Sequence, residues 1–187
     1  MRVIAGEFRG LPLNEPKNRN IRPTTDRIKE DIFNIIAPYL AECRFLDLFS
    51  GSGAIGIEAV SRGCLNATLV ESERDGIALI RSNIEKTKAS ERFVVRNQDV
   101  VRFLQMSADK YDVIFMDPPY KLEIIEKVFE ILSKRDIITD NGVIVLEQGT
   151  GNELAGHIGN FEIFKSKKYS STIVYFLRQS IEADKEN

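Results

Sequence analysis

Two groups of residues in this 187-residue chain have the types and spacing to do chemistry. The first is Asp117-Pro118-Pro119-Tyr120, which follows the apolar run VIFM. Consecutive prolines hold a chain extended and remove two N–H donors, so the adjacent carbonyls and the Asp117 carboxylate offer acceptors only. Such a slot suits the exocyclic amine of a nucleobase, whose nitrogen lone pair is delocalised into the ring. If Asp117 and the Pro118 carbonyl accept its two N–H bonds, the lone pair can turn toward an incoming methyl group, and the developing positive charge is stabilised. Tyr120 would stack on a base extruded from its helix or loop. A rigid turn with no ligand is the plainer reading of two prolines, but it leaves the acid before them and the aromatic after them unexplained.

The second group lies within residues 45–58, FLDLFSGSGAIGIE, where glycines 51, 53 and 56 interrupt an apolar run that then becomes helical. This reads as a strand, a tight turn and a helix, with glycine where backbone must approach a ligand closely. Gly51, Gly53 and Gly56 fit the dinucleotide fingerprint G-x-G-x-x-G, and Glu71 stands 20 residues after Gly51, where an acid would hold ribose hydroxyls. On that motif alone NAD is a rival cofactor. Asp47 argues against it, because a pyrophosphate set on this loop would meet a carboxylate and lose hydration. S-adenosylmethionine carries an ammonium and a sulfonium but no phosphate, and tolerates the acid. Asp47 as a loop cap bonded to backbone N–H groups is compatible with either cofactor.

These groups need a scaffold that brings strand ends together. Apolar strands at 45–49, 67–71, 92–97, 112–117 and 142–147 alternate with helical patterns near 54–62, 73–88, 99–106 and 122–134. Repeated βα units with near-continuous apolar strands predict a parallel sheet with helices on both faces and its ligand beyond the carboxyl ends of the strands. Strands at 161–166 and 172–177 follow with only a short basic turn between them, so the last should be antiparallel. Residues 1–13, broken by Gly6, Gly10 and Pro12, predict a small hairpin, and Thr24-Thr25-Asp26 predicts a helix start that Pro38 ends. The expected organisation is a hairpin extension over 1–20, the main domain over 21–178, and a polar tail over 179–187.

The formal charge is −2, yet the two ends of the domain are basic. Residues 1–29 hold seven Lys/Arg against three acids, and residues 165–178 hold four Lys/Arg and no acid. A polyanion could dock on one face, although runs this modest also suit a solvated surface. Cys43 and Cys64 match no metal-ligand spacing and there is one histidine, so no metal is expected. No apolar run approaches the roughly 18 residues that span a bilayer. No membrane association, a cytoplasmic location with reduced thiols, and a monomer are the expectations.

Asp117-Pro118-Pro119-Tyr120 resembles the D/N-P-P-Y motif of amino-directed nucleic-acid methyltransferases, and DLFSGSGAIGIEA resembles their cofactor motif. Together with MRVIAGEFRG at the start, RPTTDRIKEDIFN at 22–34 and GIEAVSRG at 56–63, the chain resembles the bacterial RsmD family from residue 1 to about 178. The glycine loop alone is weakly specific; its combination with RPTTDR is strong. The resemblance implies an α/β, class I, Rossmann-like methyltransferase with a mostly parallel seven-stranded sheet and an antiparallel last strand. It implies S-adenosylmethionine as donor, and 16S ribosomal RNA, in the small ribosomal subunit or its assembly intermediate, as substrate; the family's target is the N2 amine of guanine 966.

By position, Asp47, Gly51 and Gly53 would hold the methionine part of the donor, with Phe49 in the same cofactor set, Glu71 on the ribose and Asp99 near the adenine. Asp117 and Pro118 would orient the target amine, and Tyr120 would stack on the base. Arg22, Thr24, Thr25 and Arg27 would lie at the mouth of the site, with Arg2, Arg9, Lys167 and Lys168 on RNA. Two departures stand out: Lys29 occupies an expected arginine position, and Ser170 an expected glycine position, which leaves the turn carrying Lys167 and Lys168 open. Other readings are an NAD-dependent oxidoreductase, an RNA-binding assembly factor without catalysis, and an amino-methyltransferase acting on adenine N6 or on DNA.

Overall fold

The structure is a computed structural model, and it describes residues 1–16, 25–119, 122–151 and 153–180. Its central feature is one eight-stranded sheet of order β3-β2-β1-β4-β5-β8-β7-β6. The strands are β1 (Arg44–Leu48), β2 (Asn66–Glu71), β3 (Phe93–Asn97), β4 (Tyr111–Met116), β5 (Ile138–Gly149), β6 (His157–Ile158), β7 (Phe161–Lys168) and β8 (Thr172–Gln179). The helices are α1 (Asp26–Ile35), α2 (Ala54–Ser61), α3 (Arg74–Thr87), α4 (Val100–Met106) and α5 (Leu122–Lys134).

β1 to β5 are parallel, and β8 pairs with β5 antiparallel, Leu146 opposite Tyr175. Alternation along the buried strands gives each face its own core. Phe45, Val113, Phe115, Val143 and Val145 point toward α1, α2 and α3, while Leu46, Leu48, Ile114, Ile144 and Leu146 point toward α4 and α5. Strands buried on both faces cannot alternate polar with apolar, which is why these segments read as continuous apolar runs.

Two details depart from the expected sheet. Its strand number is eight, not seven, because the two-residue β6 adds to the edge of β7; so short a strand is made by its pairing, His157 opposite Glu162, and has no periodicity of its own. β5 also begins at Ile138, before the expected 142, with a register irregularity between Tyr111 and Val113 on its neighbour.

The N-terminal hairpin closes through one antiparallel bridge, Arg2 with Pro12, flanked by bonds from Val3 N to Leu11 O and from Leu13 N to Met1 O. Buried groups fasten it to the domain. Glu58 of α2, fully enclosed, accepts from Ile4 N (2.8 Å) and Ala5 N (3.0 Å). It also pairs with Arg62 (2.7 Å) and with the buried Lys29 of α1 (3.4 Å), whose ammonium donates to Arg2 O (2.6 Å). Burial lowers the Lys29 pKa, and Glu58 opposes that shift. Gly6 crosses Ser61 so closely, at φ +84°, that an added Cβ would meet its carbonyl oxygen at 1.8 Å. Lys29, the departure noted in the sequence, therefore closes an internal network.

Candidate active site

The carboxyl ends of β1, β2, β4 and β5 each carry an acid: Asp47, Glu71, Asp117 and Glu147. Parallel register brings them to one edge, with Leu48 beside both Val70 and Met116, and Met116 beside Leu146.

Asp47 is 1% exposed and its Oδ2 accepts from Gly56 N at 3.3 Å, so it does cap the first turn of α2. Its backbone carbonyl accepts from Ser50 Oγ at 2.7 Å. Burial raises its pKa well above the usual carboxylate range; the Gly56 N–H opposes this, and the charges of Asp117 and Glu71 add to it. Among the described residues no lysine or arginine forms an ion pair with Asp47, Glu71 or Asp117.

The loop after β1 turns sharply. Phe49 takes φ +64°, in the left-handed region that disfavours aromatic residues, and such strain concentrates at ligand-binding turns. Gly53, at φ +77°, is the residue from which α2 starts. Glu71 grips this loop, its Oε2 accepting from Gly51 N at 2.8 Å while Oε1 accepts from Glu73 N at 2.8 Å. A Cβ at Gly51 would project into open space. Asp99 follows β3 and caps α4, accepting from Arg102 N at 3.1 Å.

This acid-rich donor set fits a nucleoside that carries positive charge. It does not fit a pyrophosphate, which needs N–H groups and cations in these places.

Asp117 and Pro118 leave β4 toward the same edge, with Pro118 buried. Asp117 is open to water on one side, yet protein crowds its carboxyl; that desolvation, with the Glu147 charge beside it, raises its pKa to about 8. Tyr120, Arg22 and Thr24 lie outside the described residues.

The expected RNA-contacting residues divide into three kinds. Thr25 is the N-cap of α1 and accepts from Ile28 N, a local role. Arg9 and Arg27 are exposed, and Arg2 is exposed with Asp26 at 3.5 Å. Lys167 pairs with Asp31 (2.7 Å) and Lys168 with Glu153 (2.7 Å), so the basic turn is partly neutralised by its own protein. Tyr169 donates to the same Asp31 at 2.9 Å and ties the β7–β8 turn to α1. Spacing alone did not point to Asn83 and Ser61, which hold the N-terminal segment: on the amphipathic α3 a lone polar residue reads as solvated face, and a serine at the end of the wholly buried α2 carries no signal of its own.

The sheet order, with antiparallel β8 inserted between β5 and β7, differs from the 3-2-1-4-5-6 order of NAD-binding Rossmann domains. With the acid-lined loop, it defines a class I methyltransferase fold. A methylase of ribosomal protein L11 from Lactobacillus delbrueckii shares that fold at 12% identity, with TM-score 0.65 over 80% of this chain and 77% of that one. The solved structure of yhhF from Escherichia coli is far more similar: TM-score 0.87 and 30% identity over 96% of this chain and 98% of that one.

The model of the family described as "Conserved hypothetical protein 95" matches residues 1–178. Ribosomal RNA small subunit methyltransferase D of Escherichia coli is 33% identical over 179 residues, 96% of this chain and 89% of that protein. The chain belongs to this family, which is the RsmD family suggested by its motifs.

Proposed function

We propose that this protein transfers a methyl group from S-adenosylmethionine to the exocyclic N2 amine of one guanine in 16S ribosomal RNA, guanine 966 by family analogy. Its substrate is the small ribosomal subunit or an assembly intermediate, and it acts as a cytoplasmic monomer. The observation that carries the proposal is the meeting, at one sheet edge, of the acid-lined glycine loop and the Asp117-Pro118 acceptor pair. Family membership supplies the RNA class.

S-adenosylmethionine contributes a methyl group already activated on a sulfonium. Asp47 and the loop of Gly51 and Gly53 hold the donor's charged end, Glu71 takes the ribose hydroxyls, and Asp99 lies toward the adenine. Asp117 and the Pro118 carbonyl accept the two amine N–H bonds, Tyr120 stacks on the base, and alignment of the two reacting atoms supplies much of the acceleration. The methylated amine, now cationic and strongly acidic, gives its proton to water after transfer, so a strong general base is not obligatory. The chain itself forms no bond to the methyl group. Cys43 and Cys64 are buried with their sulfurs 2.7 Å apart at the opposite, amino end of the strands, and the Cys43 contact together with burial pushes the Cys64 thiol far up. Arg2, Arg9, Arg22, Thr24, Thr25, Arg27, Lys167 and Lys168 line the RNA approach.

Tritium-methyl transfer to undermodified small subunits, followed by mapping of the labelled nucleotide, tests this. Label on a guanine N2 is expected. Label on adenine N6, or label on duplex DNA offered in a parallel reaction, would transfer the same slot chemistry to another substrate, and RNA binding with no transfer would leave an assembly factor.

A further inference from the structure

Asn83, in the third turn of α3, is completely buried among Ile77, Ile80 and Ile84. An amide in such a place must use its hydrogen bonds to offset its desolvation, and Asn83 uses them on two separate parts of the molecule. Its Nδ2 donates to Ser52 O at 3.0 Å and to Asn14 O at 3.1 Å, while its Oδ1 accepts from Asn14 N at 2.7 Å. Two carbonyls on one side and an N–H on the other fix which way the amide points.

Ser52 lies between Gly51 and Gly53, at the tip of the donor loop. The peptide joining Ser52 to Gly53 is held at both ends, its N–H by Ser50 O at 2.8 Å and its carbonyl by Asn83. At the other contact Asn14 gives both backbone groups to the same side chain. Asn14 closes the N-terminal segment whose opposite end is fastened by Glu58 and Ser61 of α2, the helix that starts from the donor loop. Lys86, one turn further along α3, reaches Pro12 O (3.1 Å) and Asn14 Oδ1 (2.6 Å) from the exposed side and makes no hydrogen bond to the donor loop among the described residues.

We infer that Asn83 is a positioning residue that clamps the donor loop and the N-terminal segment in one fixed arrangement, so that a disturbance in the segment is felt at the donor. Its consequence for catalysis rests on the function proposed above, whereas the clamp stands on the protein alone. A residue that served only stability would not link the two sites.

Three variants of the full chain separate these roles: Asn83→Asp, which keeps the acceptor but loses both donations, Asn14→Pro at the periphery, and Lys86→Ala. Calorimetry with S-adenosylhomocysteine should show Kd raised about tenfold for Asn83→Asp, on the scale of a lost buried hydrogen bond. Asn14→Pro should raise it about threefold although residue 14 bonds to the Asn83 amide and not to the donor loop itself, and Lys86→Ala should leave it within about twofold. Hydrogen exchange of the ligand-free chain should quicken in residues 50–56 for the first two variants and only near residues 12–14 for the third. The clamp is overturned if Asn14→Pro leaves both donor affinity and exchange of the donor loop unchanged, a result that does not depend on Asn83→Asp folding. If the wild-type chain fails to bind S-adenosylhomocysteine, the proposed function falls, and the exchange arm still decides the clamp.

Discussion

The two edges of the parallel sheet carry similar acids and treat them oppositely. At the amino edge Asp109 pairs with Arg44 at 2.9 Å, Asp136 with Lys110, and Asp112 accepts from Arg44 N (2.8 Å) and Thr139 Oγ1 (3.0 Å). At the carboxyl edge backbone N–H groups donate to Asp47 and Glu71, and neither they nor Asp117 form an ion pair among the described residues; desolvation raises Asp47 and Asp117, with the charges of Asp117 and Glu71 adding to the first and that of Glu147 to the second. An edge that neutralises its charges contributes to holding the fold. One that gathers like charges spends stability on a position where an incoming cation can restore the balance.

Substitutions that move charge at one edge and leave the other alone test this contrast. The largest effect is expected for Asp117→Ala: single-turnover methyl transfer should fall by about 10²–10³, the scale of a lost transition-state acceptor, with S-adenosylhomocysteine affinity almost unchanged. Near-normal turnover would remove the acceptor slot. Its amino-edge counterpart, Asp112→Ala, should leave turnover intact and lower unfolding free energy by about 1–3 kcal/mol, because it deprives Arg44 N of a partner.

Asp47→Asn should weaken S-adenosylmethionine about tenfold, on the scale of one lost charge interaction. Chemical denaturation should find the variant no less stable than wild type, since the substitution removes a buried carboxyl whose ionised form is disfavoured. A loss of stability with unchanged donor affinity would make Asp47 a cap and nothing more.

The pH dependence carries a definite sign. Desolvation and the Glu147 charge raise the Asp117 carboxyl of the free enzyme to about 8, and it must be ionised to accept the amine, so kcat/KM should rise as pH passes that value. Glu147→Gln removes the neighbouring charge and should move the rise to lower pH. For folding the sign is reversed: the native state keeps a proton that the unfolded chain releases, so this group's contribution falls as pH rises from the ordinary carboxylate range to about 8. The smallest effect is expected at Arg44→Ala, which breaks a half-exposed pair and should cost under about 1 kcal/mol by thermal melting.

Much of the carboxyl edge was legible in the sequence because its chemistry is local. Asp47, Gly51 and Gly53 share one turn, Asp117 and Pro118 are neighbours, and continuous apolar runs marked the strands that carry them. The residues that hold the N-terminal segment were not legible. Asn83 and Lys29 lie on amphipathic helices where a polar residue ordinarily faces water, Glu58 lies on the wholly buried α2, and their partners include backbone groups 27 to 69 residues away. Nor did two residues of β6 offer a pattern. The C-terminal turn read as a free basic patch because the sequence shows Lys167 and Lys168 together but places Asp31 and Glu153 far from them; only the fold makes those pairs.

The central claim, that the carboxyl edge is built for a cationic nucleoside donor, is tested most directly by calorimetry of the wild-type chain with S-adenosylmethionine, S-adenosylhomocysteine and NAD, below and above the Asp117 transition at about 8. Both adenosyl ligands should bind, NAD should give no saturable heat, and the advantage of the sulfonium form over its neutral thioether should grow as the acids ionise. Saturable binding of NAD, or equal affinity for the two adenosyl ligands at every pH, would contradict it.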